Sequence, residues 1–141
     1  MKNLYTAHAT STGGRGGHVE SDDKRVAFDL TPSASKTGTN PEQLFACGYA
    51  ACFGSAIDAI AKKHNIVTGQ VSVKIDVDLN QDDDGGYFLA AAINVSAPSL
   101  DKEAAERLVA SAHKVCPYSK ATRGNIEVTL KANDQPLAKA A

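Results

Sequence analysis

Three cysteines, at positions 47, 52 and 116, are the side chains best placed by type to do chemistry in this sequence. A thiolate is a nucleophile or a metal ligand, and a thiol is also a small core hydrophobe. Cys47 and Cys52 lie in one apolar run, LFACGYAACFGSAIDAIA at 44–61. Five residues of helix turn them about 140° apart, so both cannot serve one site and one of them is packing. Cys116 precedes Pro117, and a residue before proline is pushed out of the α region, so a helix is expected to end there. Packing accounts for either cysteine alone about as well as catalysis does. As a pair, a thiol held rigidly mid-helix and a thiol at a freer junction suit a nucleophile and its resolving partner.

A reactive thiolate needs a nearby positive charge to bring its pKa down from about 8.5. Arg15, set among four glycines in GGRGG at 13–17, is a directed guanidinium or else a solvated turn residue. Glu42 is the obvious carboxylate to hold it in a bidentate pair, although a place at a helix N-terminus explains Glu42 by itself. Four histidines and three cysteines allow a metal site by count, but neither Cys47 with Cys52 nor His113 with Cys116 has the tight spacing of a zinc site. No metal and no cofactor are expected. GGRGG lacks the GK[ST] end of a phosphate loop, and the chain has no GxSxG elbow.

The elements that must position these groups can be read in order. Strands are expected at 4–12, 18–20 and 25–30, with a loop at 31–39. Asn40-Pro41-Glu42-Gln43 is a helix start, with Asn40 as cap, Pro41 at the first turn and Gln43 placed for a capping box. The apolar helix that follows is expected to be buried on all sides and to end near His64 and Asn65. Gly48 and Gly54 inside it point to a kink or to close packing. Ten residues of unbroken helix would put Glu42 about 15 Å from Cys52, so a break near Gly48 is expected. Val71, Val73, Ile75, Val77 and Leu79 alternate with polar residues, and YFLAAAINVSA at 87–97 returns as the second strand of a hairpin. Ser99 or Asp101 caps a second helix with Leu108, Val109, Ala112 and Val115 on its apolar stripe, and 125–132 is the last strand. This order is α+β, with helices packed on mainly antiparallel sheets.

The 141 residues favour one domain spanning 1–141, with 134–141 as a loosely ordered tail. Lys and Arg total 15 against 16 Asp and Glu, which argues against a nucleic-acid partner. No apolar run is expected to reach the length of a membrane span, so no membrane association is anticipated. MKNLYTAHATSTGG has no apolar signal core, and the odd cysteine count does not suit a disulfide framework, so a cytoplasmic setting is expected. Aromatics make up 6% of the chain, and a core that thin often leans on a second subunit.

GGRGGHVES at 13–21, NPEQLFACGYAACF at 40–53 and VCPYSKATRGNIEVTL at 115–130 together resemble the organic hydroperoxide resistance proteins of the OsmC/Ohr superfamily. The resemblance covers nearly the whole chain and departs at Cys47, where a small residue such as Ala is expected. It implies an OsmC/Ohr-like fold with a long central helix and an intertwined homodimer with active sites at the subunit interface. It implies Cys52 as peroxidatic cysteine, Cys116 as resolving cysteine, and Arg15 held by Glu42 as the support of the thiolate. It also implies organic hydroperoxide substrates, including those of fatty acids, and re-reduction of a Cys52–Cys116 disulfide by a dithiol such as the dihydrolipoyl group of a lipoylated protein. The competing readings are a non-catalytic dimer that binds apolar ligands and, behind it, a metal-binding protein.

Overall fold

The computed structural model describes residues 1–32 and 35–138, so positions 33–34 of the expected loop and 139–141 of the expected tail lie outside the described residues. The chain divides into two compact units, Met1–Leu44 and Phe45–Ala141. In the first, β1 (Ala9–Thr12), β2 (His18–Ser21) and β3 (Ala27–Asp29) form an antiparallel sheet in that order. β1 is shorter than the expected 4–12, and Leu4 and Tyr5 are exposed. Between β1 and β2 the GGRGG segment makes a 3-10 turn at Gly14–Gly16. Gly13 and Gly14 take φ of 80° and 58°, and a Cβ on Gly17 would sit 1.8 Å from the Thr12 carbonyl oxygen. Only glycine fits at position 17, and the positive φ of Gly13 and Gly14 favours glycine there.

Helix α1 (Pro41–Lys63) begins where the capping residues place it. The Gln43 amide donates to Asn40 Oδ1 at 2.9 Å. Gln43 does not complete the capping box; its Oε1 accepts from Thr39 Oγ1 at 2.8 Å instead. Two expectations for α1 are corrected. It is continuous through Gly48, with no break. A Cβ on Gly48 would lie 2.9 Å from the Tyr118 hydroxyl, so this glycine serves close packing and not a kink. Nor is α1 buried all round: Tyr49, Phe53, Ala56, Ile57 and Ala61 are buried, while Cys47, Ala51, Ser55 and Asp58 are exposed. Its 23 residues are also long and apolar enough to cross a bilayer, which an apolar count stopping at Asp58 misses. Here its buried face belongs to a protein core.

In the second unit, β4 (Ser72–Gln81) and β5 (Tyr87–Ser96) pair antiparallel as the expected hairpin, and β6 (Val128–Ala132) and β7 (Gln135–Pro136) complete the sheet. β7 pairs with β6, and the Leu137 amide donates to the Leu130 carbonyl, so this part of the expected loose tail is held by the sheet. β6 runs parallel to β5, whereas the other pairings between the described strands are antiparallel as expected. A parallel neighbour requires a crossover, and helices α2 (Lys102–Val115) and α3 (Pro117–Thr122) supply it. Ile75, Ile93 and Leu130 stand in one row across three strands. They join Tyr49, Phe53, Ile57, Leu108 and Val109 in the core. Asp101 caps α2, its Oδ1 accepting from the Ala104 amide at 2.8 Å. The buried stripe of α2 runs through Ala105, Leu108, Val109, Ala112 and His113, whereas Val115, expected on it, is 53% exposed. The helical period carries the stripe past Val115 to Cys116, which is fully buried.

Candidate active site

Pro117 creates the junction that carries Cys116. α2 cannot run through a proline, so Cys116 takes an extended conformation with φ −61° and ψ 123°. Its amide still closes α2 on the Ala112 carbonyl, and its own carbonyl accepts from the Lys120 amide to open α3. One residue thus ends one helix and caps the next, a short helix that the periodicity did not reveal. The Cys116 thiol donates to Cys52 Sγ across 3.5 Å. A disulfide needs about 2.05 Å between sulfurs, so the two sulfurs are unbonded here and a short travel from bonding. Cys116 is buried and Cys52 partly exposed, so solvent-borne reagents meet Cys52 first. Cys47 is exposed on another side of α1. The expected angular separation holds, but Cys47 does not fill this chain's core.

Burial pushes the Cys52 thiol above its ordinary pKa; the Tyr118 backbone N–H acts against this, and the Cys116 side chain adds to it. The surroundings of the thiol in this unit therefore favour its protonated form, and a thiolate at neutral pH needs a cation.

In the first unit, Arg15 and Glu42 form the expected bidentate pair: Nη1 donates to Oε2 at 3.0 Å and Nη2 to Oε1. The hydrogen bond from Arg15 holds the Glu42 carboxyl below its usual range, and the same bond raises the arginine. Arg15 remains half exposed while Glu42 is largely covered, which leaves part of the guanidinium free for another anion. Among the described residues no three His, Cys, Asp or Glu side chains gather as a metal-ligand cluster.

A second set of polar groups escaped the sequence reading. Tyr49, Ser119, Thr122 and His113 are buried. The Tyr49 hydroxyl lies 2.9 Å from Ser119 Oγ and 3.2 Å from Thr122 Oγ1, and His113 Nδ1 lies 2.9 Å from Ser119 Oγ. Arg123 Nη2 donates to the His113 carbonyl at 2.6 Å. The one available signal was a histidine on the apolar side of α2. Burial, and then the charge of Arg123, push His113 below its ordinary pKa of 6.5. The unfolded chain therefore takes up the proton before the fold does. Stability is fully present above about pH 6.5 and is lost as pH falls below it. Denaturant titrations at about pH 7.5 and 5.5 are expected to show that loss, and His113→Asn, whose amide can donate in place of Nδ1, is expected to reduce it.

Phe45 packs edge-on to Tyr49 at 5.8 Å between ring centroids and lies 6.2 Å from Tyr118. Phe45, with Tyr87, Phe88, Leu89 and Ile126, also lines a mainly apolar groove of about 420 Å³.

Residues 33–131 match the family model described as OsmC-like protein. The chain belongs to the OsmC-like family. Within it, the expected resemblance to the organic hydroperoxide resistance branch is borne out. The chain is 50% identical to the organic hydroperoxide resistance protein OhrB of Bacillus subtilis, over 91% of this chain and 97% of that one. It is 49% identical to the organic hydroperoxide resistance protein of Xanthomonas axonopodis pv. citri, over 92% and 94%. The crystal structure of the Bacillus subtilis OhrB superposes with a TM-score of 0.87 over 92% of this chain and 99% of that one, at 47% identity. An OsmC-like organic hydroperoxide resistance protein from Legionella pneumophila superposes with a TM-score of 0.88 at 45% identity, over 93% and 98%.

Proposed function

We propose that this OsmC-like protein is a thiol-dependent peroxidase that reduces organic hydroperoxides to alcohols. The observation that carries the reading is the pairing of a partly exposed Cys52 with a buried Cys116 across 3.5 Å. The Cys52 thiolate attacks the peroxide oxygen distal to the alkyl group; the O–O bond breaks, the alkoxide takes a proton and leaves as alcohol, and Cys52 becomes a sulfenic acid. Cys116 then attacks the sulfenic sulfur, the S–OH oxygen departs as water, and a Cys52–Cys116 disulfide forms. A dithiol, such as the dihydrolipoyl group of a lipoylated protein, returns both thiols by exchange. Arg15, oriented by Glu42, stabilises the thiolate and the charge that develops on the transferred oxygens. An apolar pocket formed by α1 and its surroundings at Cys52 would give a preference for alkyl hydroperoxides. The exposed Cys47, Ala51 and Ser55 edge of an otherwise apolar helix supports a homodimer. Ten residues of unbroken helix between Glu42 and Cys52 favour a site completed at the interface of that homodimer. Free thiols of this kind suit the reducing cytoplasm.

Counting thiols after stoichiometric alkyl hydroperoxide tests the reading. Two of the three per chain are expected to disappear and to return with a dithiol; if none disappears, the protein is a binder of apolar ligands whose cysteines only pack.

Arg15→Ala is expected to move the alkylation of Cys52 to higher pH. Since the thiolate reacts, peroxide consumption at neutral pH falls about tenfold for each unit of that shift and recovers as pH rises. Lys at position 15 restores part of the loss, because an ammonium cannot hold a planar carboxylate and a thiolate together. An alkylation profile unchanged by Arg15→Ala removes the electrostatic role.

A further inference from the structure

Ser119, Thr122 and Arg123 belong to the segment that follows Cys116, and the thiol cycle uses none of them. Their geometry repeats that of the cysteines. Tyr49 stands three residues before Cys52 on α1, and Ser119 stands three residues after Cys116 on α3. Residues three apart on a helix share a face. A hydroxyl pair, Tyr49 with Ser119 at 2.9 Å, therefore bridges α1 and α3 one turn away from the thiol pair, Cys52 with Cys116 at 3.5 Å.

The hydroxyl chain has one consistent direction. Thr122 Oγ1 donates its single proton to the Ser119 carbonyl at 3.2 Å. Tyr49 must then donate to Thr122, and its oxygen accepts from Ser119. Ser119 Oγ in turn accepts from His113 Nδ1–H at 2.9 Å. Every proton in the chain is used, and His113 is fixed as the neutral Nδ1–H tautomer. Tyr118, between Cys116 and Ser119, packs its hydroxyl against Gly48, where a side chain would collide with it.

We propose that Tyr49 and Ser119 are positioning residues for disulfide formation: their hydrogen bond seats α3 on α1 and so keeps Cys116 within reach of a Cys52 sulfenic acid. This rests on the peroxidase reading above. The latch does not touch the reacting oxygens, so it acts on the second oxidation step and leaves the first alone. The sulfurs must close by about 1.5 Å, and a seated α3 lets the Cys116 side chain make that movement over a fixed backbone. An unseated α3 lets Cys116 drift, and the sulfenic acid then waits long enough to meet a second peroxide.

Tyr49→Phe removes the hydroxyl and keeps the ring, and Ser119→Ala removes the hub. After single-turnover mixing with an alkyl hydroperoxide, trapping of sulfenic acid and intact mass follow the two steps separately. Each variant is expected to form sulfenic acid at the parent rate, to form the disulfide about tenfold more slowly, and to accumulate more sulfinic acid in excess peroxide. The double variant is expected to match the worse single one, since both break one chain. Nitrogen NMR is expected to find His113 as the Nδ1–H tautomer in the parent and to register a shift at that ring in folded Ser119→Ala. Disulfide formation at the parent rate in Tyr49→Phe overturns the latch and leaves the peroxidase reading standing. Equal slowing of both steps also overturns it, since that marks general loosening of the fold. A parent protein that forms no Cys52–Cys116 disulfide overturns the peroxidase reading and the latch with it.

Discussion

Cys52→Ser abolishes hydroperoxide consumption, whereas Cys47→Ser keeps most of it. Residual hydroperoxide measured over several turnovers is the readout, and the expected loss for Cys52→Ser is to the uncatalysed rate, at least about a thousandfold. The asymmetry follows from surroundings and not from intrinsic reactivity. Cys52 has a sulfur partner at 3.5 Å and the Tyr118 backbone N–H near it; Cys47 is exposed on another side of the helix. A serine hydroxyl at 52 keeps the shape of the site but is far too weak an acid to supply the nucleophile at neutral pH. If Cys47→Ser were the inactive variant, the assignment of the peroxidatic cysteine would be reversed.

Cys116→Ser consumes about one equivalent of peroxide per chain and then stops cycling. Oxygen transfer involves one sulfur, so the first step survives; resolution needs the second. With stoichiometric hydroperoxide the parent chain is expected to lose two hydrogen atoms by intact mass, while the variant gains one oxygen. Excess peroxide carries the variant on to sulfinic and sulfonic acids, which a dithiol does not reverse. A parent that itself gains oxygen and forms no internal disulfide would contradict the two-cysteine cycle.

Much of what positions these residues could be read locally. Asn40-Pro41 starts α1 because its cap is made by neighbours three residues away, and Asp101 starts α2 for the same reason. The alternation specified a strand and, from Val73 to Val77, its inward face, although Val71 falls before β4 and Leu79, expected on that face, is exposed; Pro117 marked the end of α2. Tertiary facts were less accessible. Gly48 was compatible with a kink or with a close neighbour, and the neighbour is Tyr118, seventy positions away in sequence terms. The parallel placement of β6 beside β5 depends on where α2 and α3 deliver the chain, which strand periodicity does not encode. A six-residue helix such as α3 is too short to present a period. The Arg15–Glu42 pair followed from charge and type, whereas the Tyr49–Ser119–His113 chain joins three elements and leaves no spacing to recognise.

Cys52 and Cys116 are 64 positions apart. A bond between them would close a ring containing the β4–β5 hairpin and all of α2. Closing a ring of that size removes chain entropy from the unfolded state worth about 4 kcal/mol in the simplest model. The oxidised protein is then the more heat-resistant form. The thermodynamic cycle also runs the other way: what the bond adds to the fold, the fold adds to the bond. At 30 mV for each 1.4 kcal/mol, the disulfide becomes about 90 mV harder to reduce in the folded protein than in the unfolded chain. Each catalytic turn would thus alternate the molecule between a tighter, electron-resistant state and a looser, peroxide-ready one, and the reductant would need a potential low enough to undo the cross-link.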